Sequence, residues 1–148
     1  MKPKISLPAF CRTYSLYLAW AVSLTATAGS LFLSEVMGFI PCKLCWIQRI
    51  FMYPLVLLLG QAAYKGDYKI IPYALPLSVI GGSVSLYHYA QQIVPGLARV
   101  LPCTGDVPCH LDYLDWFGFI TIPFLALIAF ALITLFLWLG RNQTGEDE

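Results

Sequence analysis

Charge is the scarcest commodity in this sequence. Of its 148 residues 11% are charged, while 59% are hydrophobic. A soluble domain carries about 25% charged residues. A chain this poor in charge cannot cover a water-facing surface, so it belongs in a membrane. Basic runs are missing too, and a net charge of +1 gives nucleic acid nothing to hold. There is no haem C-x-x-C-H, no glycine-rich dinucleotide fingerprint and no length to spare for a flavin domain. Long Ser/Gly linkers, low-complexity tracts and internal repeats are absent as well, which leaves residues 1–148 as one small membrane domain.

What the chain does have is long apolar runs. A membrane-crossing helix takes about 20 mostly apolar residues. Runs of that kind cover residues 14–34, 46–64, 70–94 and 120–139, and they predict an all-α integral membrane protein built as a four-helix bundle. Pro54, Pro72, Pro76 and Pro123 lie in or near these runs, which membrane helices tolerate. Gly81-Gly82 would let a neighbouring helix approach closely. Lys2, Lys4, Arg12, Lys65, Lys69 and Arg141 would share one side of the membrane, against Lys43, Arg49 and Arg99 on the other. That bias predicts cytoplasmic termini and outer loops at residues 35–45 and 95–119. Ala26-Thr27-Ala28-Gly29 resembles a signal-peptidase site, yet the apolar character continues through Leu31, Phe32 and Leu33, as a retained span requires. Residues 111–117 mix aromatics with Asp112 and Asp115, and read as a short interfacial helix in the second outer loop or as an aromatic belt.

Four of the five cysteines form two pairs. Cys42-Lys43-Leu44-Cys45 is a C-x-x-C, and Cys103 and Cys109 bracket the polar stretch 104–108. Both pairs fall between spans, on the outward side where disulfides persist. Cys11 falls on the cytoplasmic side and reads as a free thiol. Pro41 cannot continue a preceding helix, so the second helix should begin near Cys42, with both cysteines of the motif in its first turn. A helix N-terminus lowers thiol pKa. Arg49, four residues after Cys45, shares its face and would favour a thiolate there. Such an arginine is either a functional group or a side chain snorkelling to the headgroups. Gln48 could bond the same ligand as Cys45, or be a polar interface residue.

Electrons taken up by an outward disulfide need an acceptor. With haem, dinucleotide and flavin excluded, a membrane-soluble quinone fits. Its head would sit beside the first turn of the second helix, where Arg49 could polarise a carbonyl and Cys45 could contact it directly. Trp46 could line that site or simply mark the interface. His88, flanked by Tyr87 and Tyr89, could hydrogen-bond the quinone, carry a proton or pack at the interface. His110 could stabilise a thiolate on Cys109, or be a surface residue without a role.

The run Cys42-Lys-Leu-Cys45-Trp-Ile-Gln-Arg49 after one span, with a second cysteine pair between spans three and four, resembles the DsbB/BdbC family of bacterial quinone-dependent thiol oxidants. The five-residue gap between Cys103 and Cys109 is more similar to the short BdbC-type members. The resemblance implies that Cys45 engages the quinone with Cys42 as its disulfide partner, and that Arg49 binds the quinone. It also implies that Cys103 is attacked by an extracytoplasmic thioredoxin-like oxidase of the DsbA/BdbD kind, with Cys109 as its mate. Menaquinone is favoured over ubiquinone, and the bacterial cell membrane is the implied location. The expected activity is a relay from partner to Cys103–Cys109, to Cys42–Cys45, to quinone. Three other readings compete. A vitamin-K-epoxide-reductase-like enzyme would place its loop pair before the C-x-x-C. A metal-binding membrane protein would use the thiolates as ligands, and a structural protein would use them as staples.

Overall fold

The computed structural model describes residues 10–11, 14–94, 96–97 and 120–141. Cys103, Cys109, His110 and the expected interfacial helix at 111–117 lie outside the described residues.

Four helices dominate, each laid over one of the apolar runs and each long and apolar enough to cross a membrane. They are α1 (Ser15–Leu31), α2 (Lys43–Lys65), α3 (Ile71–Ile93) and α4 (Ile122–Arg141). α1 runs unbroken through Ala26 to Gly29 and continues as a π-helical turn, Phe32–Val36. The sequence reading placed a loop from residue 35; the chain instead stays helical to Val36, because Gly38 supplies the left-handed backbone (φ 71°) that closes the helix just beyond. Phe39 N–H then donates back to the Leu33 carbonyl at 3.0 Å. At the other end of the bundle, Gly66 (φ 65°) closes α2 in the same way, and a 3₁₀ turn, Tyr68–Ile70, leads directly into α3.

Neighbours in the bundle run α1, α2, α3, α4 and back to α1. The core holds Leu16, Leu55, Leu59, Ile71, Phe130, Ile133 and Leu137, all nearly inaccessible. Large apolar side chains such as Ile50, Leu57, Tyr73 and Trp138 point outward, a distribution that suits lipid rather than water. Helices in lipid gain little from hydrophobic burial against one another, so close packing and shared hydrogen bonds hold them together. Gly81 meets this need between α3 and α4: a Cβ there would overlap the Phe130 ring. One turn away Ser78 donates to the Phe130 carbonyl at 3.1 Å and bonds the Thr134 hydroxyl at 2.8 Å. Gly140 similarly lets α4 close on Ser15 of α1.

Candidate active site

The antiparallel order brings the end of α1, the start of α2, the end of α3 and the start of α4 to one end of the bundle. The polar side chains gather there. Pro41 stops the preceding backbone, and Cys42 takes the extended N-cap conformation (φ −72°, ψ 173°) of α2. Cys45 therefore sits in the first turn, and its sulfur lies 3.4 Å from that of Cys42. A movement of about 1.4 Å brings the pair to disulfide length.

Cys42 is 6% exposed and lies against α3, where His88 Nε2 is 3.6 Å from its sulfur. His88 is itself 2% exposed, and its Nδ1 accepts from the Gln48 amide at 3.2 Å. An amide N–H at Nδ1 puts the ring proton on Nε2, so the imidazole donates to the Cys42 sulfur. The Cys42 thiol is accordingly held well below the ordinary thiol range, first by the Cys45 S–H and then by His88, with burial opposing. Spacing alone had favoured Cys45 as the thiolate because Arg49 follows it by one turn. The folded site adds the His88 imidazole on the Cys42 side of the pair.

Arg49 is 9% exposed although charged. Nε donates to the Ser30 hydroxyl at 3.0 Å and a terminal nitrogen donates to the Ser30 carbonyl at 3.0 Å, which ties α2 to α1. Its guanidinium also lies 5.3 Å from the centre of the half-exposed Trp46 ring. Ser30 escaped the reading of the sequence. The available signal was that an arginine inside a span needs an acceptor at the same depth, and Ser30 is one of few polar residues at that end of α1.

Cys45, Gln48 and Arg49 share a cavity of about 520 Å³ with α1 and α4. Its walls are otherwise mostly apolar, including Leu33, Met52, Ala126 and Phe130. Leu125, Ile128 and Leu132 line it and are also exposed on the outside of the bundle, so the cavity reaches the flank. His88 is not among the lining residues: it stands on the other side of α2, with Gln48 touching both. Cys11, half-buried before α1, belongs to the opposite end of the bundle.

The family model for "Disulfide bond formation protein DsbB" matches residues 12–140. The chain is 53% identical over 135 residues to "Disulfide bond formation protein C" of Bacillus subtilis (strain 168), covering 91% of this chain and 98% of that protein. It is 54% identical over 122 residues to "Probable disulfide formation protein C 1" of Bacillus anthracis, covering 82% and 88% respectively. With "Probable disulfide formation protein" of Coxiella burnetii (strain CbuK_Q154) it shares 48% over 128 residues, covering 85% and 86%. No solved structure matches. A four-span bundle, a C-x-x-C starting its second helix and these relatives converge: the chain belongs to the DsbB family of disulfide bond formation proteins and is a multi-pass membrane protein.

Proposed function

We propose that this protein oxidises a thioredoxin-like dithiol partner outside the cytoplasm and passes the electrons to a membrane quinone, menaquinone in preference to ubiquinone. The observation that carries the reading is the flank-opening, mostly apolar cavity onto which Cys45, Gln48 and Arg49 of α2 all open, with Thr25, Ser30 and Tyr53 as its other polar lining groups. Its volume lies within the roughly 300–1,000 Å³ common for small-molecule sites. A quinone ring with the first part of its isoprenoid tail matches it in size and character. Arg49 would hold a quinone carbonyl there, and Ser30 fixes the guanidinium.

A bound quinone supplies a sink for two electrons and two protons. The chain's own residues do the rest. The partner's thiolate attacks Cys103 of a Cys103–Cys109 disulfide, and the loop thiols released reduce Cys42–Cys45 by exchange. Cys45 is the sulfur on the cavity, so it hands the electrons on. Cys42, 3.4 Å behind it, closes the disulfide again, and the two thiol protons leave with the electron pair. His88 acts on Cys42 rather than on the quinone, and Gln48 fixes the ring. The deciding measurement is anaerobic turnover of purified protein with a reduced thioredoxin-like partner and menaquinone, following quinone absorbance. Stoichiometric quinol is expected; partner oxidation that proceeds without quinone reduction overturns the reading.

A further inference from the structure

Next to the cavity, the two thiols share a second constellation with α3. Cys42 Sγ, Cys45 Sγ and His88 Nε2 come together, with all three ligand atoms within 4.8 Å of one another. We propose that the reduced dithiol and His88 form a binding site for a thiophilic d¹⁰ cation of the zinc class, occupied only when Cys42 and Cys45 are both thiols.

The geometry is already close to that of a metal centre. Tetrahedral zinc with sulfur at about 2.3 Å and imidazole nitrogen at about 2.0–2.1 Å sets its ligand atoms roughly 3.5–3.8 Å apart. The two sulfurs here are 3.4 Å apart, and Cys42 Sγ is 3.6 Å from His88 Nε2. The ligands come from two helices held by bundle packing, so few degrees of freedom remain to be fixed. Thiolate and imidazole ligands select soft and borderline cations over magnesium or calcium. Three protein ligands leave a fourth position for water. The outer shell is present as well. A ligating histidine donates its other ring N–H to an oxygen, and Gln48, 3.2 Å from Nδ1, offers its carbonyl oxygen there once the amide turns over.

Binding exchanges two thiol protons and the cation's waters for two metal–sulfur bonds and one metal–nitrogen bond, with no electron transferred. In the oxidised protein both sulfurs are consumed in their own bond, so the cation and the disulfide exclude each other. The inference goes beyond the quinone reading and does not depend on it, because it is tested without quinone or partner.

The experiment uses full-length protein in detergent carrying Cys11→Ser, Cys103→Ser and Cys109→Ser, which leaves only the site's thiols. Cobalt(II) is titrated under argon into reduced and oxidised samples. The reduced protein should bind one cobalt per chain, with thiolate-to-cobalt charge-transfer absorption and the visible bands of tetrahedral cobalt; the oxidised protein should give neither. His88→Ala should weaken binding at least about 100-fold, beyond the roughly 10–100-fold expected from an outer-shell change such as Gln48→Leu. Unchanged affinity in a folded His88→Ala protein, or no charge-transfer band in the reduced protein, overturns the proposal. Should His88→Ala fail to fold, X-ray absorption of the zinc-loaded parent decides: two sulfurs and one imidazole support the site, and a shell without imidazole overturns it.

Discussion

Cys42 and Cys45 stand three residues apart on one helix, yet their surroundings have little in common. Cys42 is sealed under α3 with a buried imidazole at 3.6 Å. Cys45 is half-buried and opens onto an apolar cavity between α1, α2 and α4. A C-x-x-C at a helix start is often read as two similar thiols tuned by a shared dipole. Here the bundle makes them unequal: α3 sets the His88 imidazole against Cys42, and the gap beside α1 supplies Cys45 with access. Division of labour in this motif comes from the neighbouring helices rather than from the motif itself.

The largest effect expected bears directly on that inequality. Cys45→Ala should abolish quinone reduction by the reduced partner, read as quinone absorbance under argon; retained turnover would end the assignment of Cys45 to the cavity side. Arg49→Lys comes next. A lysine keeps the charge but not the planar fork that meets both Ser30 atoms. Losing charge-assisted hydrogen bonds worth about 1.5–3 kcal/mol should raise the quinone KM by about 10- to 150-fold. His88→Ala should act on the opposite side of α2. It is expected to lower kcat by about tenfold, the low end of what losing a hydrogen bond to a charged sulfur costs, while leaving the quinone KM near its native value. An equal rise in KM for His88→Ala and Arg49→Lys would erase the distinction between the two sides. Ser30→Ala should have the smallest effect on function, a KM increase of about threefold, because Arg49 keeps its bond to the Ser30 carbonyl.

A fifth test addresses the scaffold. Gly81→Ala should cost about 1–3 kcal/mol by driving a methyl group into the Phe130 ring, seen as a lower unfolding temperature in detergent. An unchanged unfolding temperature would mean that α3 and α4 can separate at no cost.

The architecture was legible because lipid imposes it. A segment that crosses a membrane must be apolar for its full length and must bond its own backbone, so four runs of hydrophobic residues announce four helices. The start of α2 could be read from Pro41, and with it the position of Cys42 and Cys45. The close approach at Gly81 could be read from the glycine pair. Partners across helices were not legible. Ser30 lies 19 residues before Arg49, and His88 lies 46 residues after Cys42. Nothing in spacing along one helix says which residue of another helix stands opposite. The same limit left the role of His88 open between quinone, proton and packing in the sequence, whereas the fold shows its neighbour to be Cys42. The π-turn Phe32–Val36 was also hidden, since no residue type marks one extra residue in a turn.

The cavity's outlet on the bundle's flank has a kinetic consequence. Leu125, Ile128 and Leu132 make its threshold out of apolar side chains that are also exposed on the bundle's surface. The proposed quinone would therefore come and go within the plane of the bilayer without crossing water. The concentration that such a site senses is a mole fraction in lipid, so diluting the membrane with inert lipid should slow turnover at constant bulk quinone, whereas diluting the aqueous phase should leave it unchanged.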